Sequence, residues 1–235
     1  MDKQNVMEAM ALSALAYKDV QPIEPYTCQK LIDDPKTDLQ CFLRRRGDTL
    51  YITFRGSNSD ADWRANLRFW KKKVPYDGME GSKVRVHTGF VDNYKAKGVR
   101  DVLLSAVTPG IRTVRVSGHS QGAALAVLCA LDIEYNHQQK NIEVVVFGCP
   151  RIGNRAFMLS YNKRVPLTLR VENGNDIVTK IPFALMGYRH VGARVHIGAL
   201  RLLGVFSPGD HYQHAYFSGL TPRYLPDWQK DKNSV

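Results

Sequence analysis

Long apolar runs are missing from this 235-residue chain. None approaches the roughly 20 residues that a membrane-spanning helix requires, which argues against such a span. Cysteine is scarce. Cys28, Cys41, Cys129 and Cys149 include no C-x-x-C pair, so zinc-ribbon and thioredoxin-like motifs are absent. Cys129 and Cys149 read as small buried hydrophobes. A Cys28–Cys41 disulfide is geometrically feasible, but it is not expected in a chain with no recognisable leader. The N-terminal stretch is short, carries Glu8 and lacks a clear cleavage site. It reads as an amphipathic helix, which points to a cytoplasmic protein or to leaderless export. Repeats, low-complexity tracts and linker-like segments are also absent, so residues 1–235 read as one domain with enough chain for a full core. Acidic residues are the minority: 22 Asp and Glu against 33 Lys and Arg give a formal net charge of +11. The basic clusters Arg44–Arg46, Lys71–Lys73 and Lys163–Arg164 suit either a solvated surface or an anionic partner. Phospholipid is favoured over nucleic acid, because no zinc finger, homeodomain or RNA-recognition motif accompanies the charge.

What is present alternates between two periods. Val6 to Tyr17 reads as a helix with Met7, Met10, Ala11, Leu15 and Ala16 as its apolar stripe. Gln21 to Pro35, broken by three prolines, reads as loop. Leu39–Arg45 and Thr49–Phe54 read as a hairpin around Arg46-Gly47-Asp48. Val84–Phe90 leads into a helix from Val91 to Ser105. Thr113–Ser117, Ile142–Phe147, Leu167–Glu172 and Tyr188–Ile197 read as strands, with helices after Gln121, after Gly148 and from Asp210 to Leu220. The tail from Asp227 to Val235 is expected to fray. Strands alternating with helices indicate an α/β fold with a mostly parallel central sheet flanked by helices.

The centre of this pattern is Gly118-His119-Ser120-Gln121-Gly122, a G-x-S-x-G pentapeptide between a strand and a helix. Such a turn is a nucleophile elbow: it strains the serine, lifts its hydroxyl above the sheet and aims a helix N-terminus at a developing oxyanion. A serine is a weak nucleophile without a base, and the base needs a carboxylate to fix its tautomer. Asp176 follows one strand and His211 the last one, so Ser120, Asp176 and His211 occur in the order of an α/β-hydrolase triad. His214 is a rival base, and Asp132, Glu134 and Glu172 are rival acids. His119 reads as the variable elbow position. His87 and His190 read as makers of structural hydrogen bonds, and His137 and His196 as surface or core residues.

Several segments carry a family likeness. They are Phe54-Arg55-Gly56-Ser57 with Asp62-Trp63, Val86–Phe90, Val116–Ala124, Val146–Asn154, Asn173–Val178 with Ile181-Pro182 and Gly187–Gly192, and Asp210-His211 with Tyr216. Together they resemble the class 3 lipases, the fungal-type triacylglycerol lipases and their plant and bacterial relatives, from about Ala11 to Leu220. The resemblance implies an α/β-hydrolase fold, Ser120 as nucleophile, Asp176 as acid and His211 as base. It also implies an oxyanion hole from Ser57 and the Gln121 N–H, although Gln121 stands where the family commonly has leucine.

The resulting expectation is a serine carboxylic-ester hydrolase acting on lipid esters as a triacylglycerol lipase, through an acyl-enzyme and with no metal or organic cofactor. Phospholipase A1 and short-chain esterase are the enzymatic alternatives, and a basic membrane-surface module on a hydrolase scaffold is the non-enzymatic one. The expected partners are a lipid or small ester and an anionic membrane surface, with no nucleic acid. The oligomeric state is not legible. Trp63, Leu67 and Trp70 fall at helical spacing before Lys71–Lys73, which fits either fixed core aromatics or an amphipathic lid.

Overall fold

The computed structural model describes residues 2–19, 21, 24–34, 37, 39–57, 71–73, 82–96, 98–138, 140–199 and 206–221, with backbone only at Cys28, Gln29 and 71–73. The aromatic stripe from Trp63 to Trp70 and the tail from Asp227 to Val235 lie outside the described residues. Seven strands form one sheet in the order β1-β2-β3-β6-β7-β8-β9. β1 (Cys28–Asp34), β2 (Leu39–Arg46) and β3 (Thr49–Phe54) pair antiparallel. β3 then pairs parallel with β6 (Thr113–His119), and β7 (Asn141–Phe147), β8 (Thr168–Asn173) and β9 (Ala193–Ile197) continue the parallel ladder. A separate ribbon joins β4 (Lys71–Lys73) to β5 (Arg85–His87), with Lys71 opposite His87. Lys71–Lys73, at the end of the segment that fits either core aromatics or a lid, are therefore backbone-paired strand.

The unbroken apolar run of β7 explains the layering. Val144 and Val146 enter the larger core, while Val145 and Phe147 enter a second core on the other face. A strand covered on both faces has no solvent side to alternate with. The second core is closed by α1 (Lys3–Leu15), through Val6 and Met10, and by helical residues 213–221, through Tyr216 and Leu220. α2 (Thr88–Tyr94), α3 (Val99–Ser105), α4 (Gln121–Asn136) and α5 (Arg155–Arg164) contribute to the larger core. Every residue of α4 from Gly122 to Ile133 is buried, as expected of a helix apolar on all sides.

Three expectations need correction. β1 lies where a loop was expected. It is an edge strand rich in charge, and its fully exposed or half-exposed neighbours mask the alternation: Leu31 is 49% exposed and Ile32 only 9%. Charge on an edge strand blocks pairing with other chains. The helix expected from Val91 to Ser105 is two helices, since Gly98 takes φ +84° at the start of α3. α1 begins at Lys3 because Asp2 caps it, accepting from Asn5 N–H at 2.7 Å; of the expected stripe Met10 and Ala16 are buried and Met7 and Leu15 partly so, while Ala11 is exposed and Val6, Leu12 and Ser13 are buried in addition. Cys41, Cys129 and Cys149 are free and buried, so Cys41 forms no disulfide.

Asp132, on α4, is fully buried and ties the helices together. It accepts from Arg100 Nε at 2.7 Å and Nη2 at 2.9 Å, from Tyr94 Oη at 2.9 Å and from Asn136 Nδ2 at 3.0 Å. Arg100→Met should destabilise the fold by about 2–3 kcal/mol in urea unfolding, the cost of stranding a buried carboxylate discounted for the partial exposure of Arg100. Adding Asp132→Leu to that variant should recover most of the loss, since an apolar pair strands no charge.

Candidate active site

The elbow is built from three residues that could not be exchanged freely. Ser120 has φ +59° and ψ −127° and is the one non-glycine residue with positive φ among the described residues. This strain persists only where the surroundings enforce it. A Cβ on Gly118 would strike the Gly122 carbonyl, and one on Gly122 would lie 2.5 Å from Phe54 O and 2.6 Å from Arg55 O. Both glycines are thus required by close backbone approach. β6, the turn, α4 and the end of β3 meet around them.

The turn delivers Ser120 Oγ to within 2.8 Å of His211 Nε2, and His211 Nδ1 lies 2.9 Å from Asp176 Oδ2. All three residues are buried. The carboxylate can only accept, so Nδ1 carries the proton and Nε2 presents its lone pair to the serine hydroxyl. Tyr216 Oη donates to Asp176 Oδ2 at 2.6 Å, and Val178 N–H donates to Oδ1 at 2.8 Å. Burial pushes the Asp176 carboxyl up. The hydrogen bond and charge of His211, with those from Tyr216 and Val178, outweigh it and leave the pKa below the usual carboxylate value. Asp176 therefore stays ionised where an imidazolium would form.

The loops that present the acid and the base are fastened to each other. His211 lies on a single 3₁₀ turn, Gly209–His211. The preceding Asp210 accepts from Asn175 N–H at 2.8 Å through its carboxylate and from Asn173 Nδ2 at 3.0 Å through its carbonyl. Gly148, at φ +58°, leaves room beside the pair: a Cβ there would sit 2.9 Å from His211 Cε1 and 3.0 Å from Asp176 Oδ2. Ser57 and Gln121 are also brought together. The Ser57 hydroxyl donates to the side-chain carbonyl of Gln121, while the Gln121 N–H is the first of α4, where no intrahelical acceptor exists.

The rivals are placed elsewhere. His214 is exposed and stacks on Tyr212. Asp132 holds Arg100, Glu134 holds Arg164 at 3.0 Å, and Glu172 is surrounded by Arg170, Lys180 and Arg194. His190 Nε2 donates to Thr179 O at 2.7 Å. The ring nitrogens of buried His87, expected to be hydrogen-bonded, meet no partner among the described residues. Its ring packs instead on Phe90, with centroids 4.4 Å apart. Sequence reasoning overlooked two features of the site. One is the role of Gly148, signalled only by a glycine after a strand. The other is the contact of Tyr216 with the acid, signalled only by its spacing from His211.

With this geometry in view, the likeness to known proteins is specific. Residues 51–186 match the family described as lipase (class 3). The chain belongs to the class 3 lipase family. A lipase from Rhizomucor miehei is 38% identical over 159 residues, covering 63% of this chain and 42% of that protein. A chloroplastic phospholipase A1 from Arabidopsis thaliana is 30% identical over 155 residues, covering 59% of this chain and 34% of that one. This chain therefore matches less than half the length of these relatives. Among solved structures, a fungal lipase in an inhibitor complex superposes with TM-score 0.75 at 27% identity, covering 93% of this chain and 97% of that one. A triacylglycerol lipase whose catalytic centre is a serine-protease triad gives TM-score 0.72 at 30% identity, covering 83% and 80%. The shared fold is the α/β-hydrolase fold.

Two outcomes follow for the site. Gly148→Ala should lower ester turnover by about 10²-fold, through displacement of the His211–Asp176 pair, with little change in the KM of a small ester. The second outcome concerns acid. Burial lowers His87 from 6.5 to about 4, lowers His119 to about 3 and, with Arg170 and Arg151 nearby, lowers His190 to about 2. Below pH 6.5 the unfolded chain takes up protons that the folded chain refuses, so stability falls as pH falls. Urea unfolding should lose about 1.4 kcal/mol per pH unit for each of these histidines between about pH 6 and pH 4.5. A flat profile over that window would show that these rings are protonated in the fold.

Proposed function

We propose that this protein is a serine hydrolase of carboxylic esters of lipids, working through an acyl-enzyme. The observation that carries the reading is the unbroken line from Ser120 Oγ through His211 to Asp176, at 2.8 and 2.9 Å, on a strained elbow at a helix N-terminus. His211 Nε2 takes the hydroxyl proton as Ser120 Oγ attacks the ester carbonyl. The oxyanion of the tetrahedral intermediate is stabilised by the Gln121 N–H and the Ser57 side of the site. As the C–O bond to the alcohol breaks, His211 returns the proton to the leaving oxygen. Water then repeats the sequence on the acyl-serine and releases the acid. Asp176 stabilises the imidazolium in both halves.

The substrate we favour is a triacylglycerol, with phospholipid hydrolysis at the sn-1 ester as the second reading. The relatives named above as lipase and phospholipase A1 support both. A feature of the surface supports docking on an anionic lipid layer. The 3₁₀ turn Ala184–Met186 exposes Leu185 completely, with Phe183 and Met186 beside it. Arg151 holds this loop by donating to the Lys180 and Pro182 carbonyls, and Arg189 does so by donating to Ala184 O at 2.8 Å. An apolar tip on cationic supports matches an anionic headgroup layer over acyl chains.

The test is a panel of esters differing in acyl length and head group, offered as monomers and on neutral and anionic vesicles. Ser120→Ala should reduce turnover by about 10⁴-fold or more without moving the thermal midpoint, and a fluorophosphonate should label Ser120 alone. Leu185→Ser should weaken vesicle binding yet leave hydrolysis of a soluble ester unchanged. Residual wild-type activity in Ser120→Ala would dismiss the triad.

A further inference from the structure

His119, between the strand and the nucleophile, makes two directed contacts that the triad mechanism does not use. It is 2% exposed. Its Nε2 lies 2.7 Å from the backbone oxygen of His211, and its Nδ1 lies 3.0 Å from Tyr17 Oη. A carbonyl can only accept, so Nε2 carries the proton. Nδ1 is then a lone pair, and the Tyr17 hydroxyl donates to it. Burial and the neighbouring His211 hold His119 neutral down to about pH 3, so this arrangement does not change across the working range.

The two contacts join parts of the chain that nothing local holds together. His211 stands on one 3₁₀ turn, outside any strand or long helix. Its ring also packs on that of His119, with centroids 4.6 Å apart and planes inclined at 30°. At the other end, Tyr17 follows α1, and its hydroxyl occupies the space that a Cβ on Gly56 would need. That same Cβ would lie 2.8 Å from His119 O and 3.1 Å from Ser120 Cβ. Tyr17, the loop carrying Ser57, the nucleophile and the base therefore converge on one imidazole.

We propose that Tyr17 and His119 are positioning residues: the chain of hydrogen bonds from Tyr17 through His119 to the His211 carbonyl sets the height and tilt of the catalytic imidazole and couples it to the oxyanion loop. The inference rests on the ester-hydrolase reading above. His119 donates one proton to a backbone oxygen and releases none during turnover. It cannot serve as a second base, because its lone pair is committed to Tyr17. Its action on the reaction passes through the main chain of His211, which is why an uncharged, buried ring with its proton on Nε2 suits this elbow position.

The experiment uses a soluble short-chain ester, so that interfacial effects do not enter. His119→Leu should lower kcat by about 10²-fold with KM nearly constant, the signature of a misplaced catalytic group. His119→Gln, whose amide can donate to the same carbonyl, should restore most of that loss. Tyr17→Phe should lower kcat about fivefold, the factor that corresponds to one net hydrogen bond. A second reading comes from proton NMR. The low-field resonance of His211 Nδ1–H should be sharp in the wild type and in His119→Gln, and broadened by exchange in His119→Leu. A kcat for folded His119→Leu within twofold of wild type would overturn the inference, as would His119→Gln as slow as His119→Leu. Should His119→Leu fail to fold, an unaltered kcat in Tyr17→Phe overturns it instead. Activity retained in Ser120→Ala would remove the functional reading, whereas an inactive Ser120→Ala beside a fully active His119→Leu removes this inference alone.

Discussion

The left-handed backbone at Ser120 is the constraint on which the rest of the structure depends. A non-glycine residue at φ +59° is held there only if its neighbours leave no alternative. Here the neighbours are backbone: Gly118 against Gly122, and Gly122 against Phe54 and Arg55. That contact needs β6 beside β3 and α4 directly after the turn. α4 in turn has to be small and apolar along its length to lie against the sheet. The composition of one helix, the order of two strands and the strain in one residue are thus a single requirement, and the position of the serine hydroxyl is its product.

The two-sided burial of the sheet leaves little room for charge inside: fully buried Arg44 donates to Gln21 Oε1 at 2.5 Å, and its Nε and Nη1 meet no hydrogen-bond partner among the described residues. Arg115 joins Glu8 at 3.3 Å and Glu143 at 2.9 Å, linking α1 to β6 and β7. Tyr51 stands beside Arg46 and Arg115. Other basic groups keep access to water, where repulsion is screened: the Arg112 side chain is 85% exposed and the Arg194 side chain 49%. Such groups can act on an external anion without loosening the core.

The features legible in the sequence are those with a local cause. The elbow was legible because glycine, serine and glycine must fall within five residues. The hairpin of β2 and β3 was legible from Arg46-Gly47-Asp48, and β7 from its valines. Asp176 and His211 were legible from their place after strands and from a family likeness. β1 was not, because an edge strand bearing Lys30, Asp33 and Asp34 has lost its alternation to the need to repel other edges. The break before α3 was hidden in a stretch whose apolar period continues across Gly98. Tyr17 lies 102 residues from His119 in sequence, and no spacing rule reaches that far. The partners of His119, Tyr17 and His211, come from opposite ends of the chain, so nothing around the elbow announced them.

Three buried carboxylates in this chain show how one functional group acquires three roles. Asp132 faces a guanidinium, which never gives up its proton. That pair can only be made or broken, and it fastens helices. Glu172 sits among Arg170, Lys180 and Arg194, so its charge is compensated several times over and cannot respond to a change at any one partner. Asp176 faces an imidazole, whose charge changes within the reaction, and its remaining contacts come from a hydroxyl and a backbone N–H. Neutral donors keep the carboxylate ionised without cancelling the attraction it offers to an imidazolium. Had either an arginine or a lysine taken the place of Tyr216, the field at His211 would favour the neutral ring and oppose proton transfer from Ser120. The neutrality of the two donors that touch the acid besides His211, as much as the acid itself, is what suits this carboxylate to the proposed proton transfer.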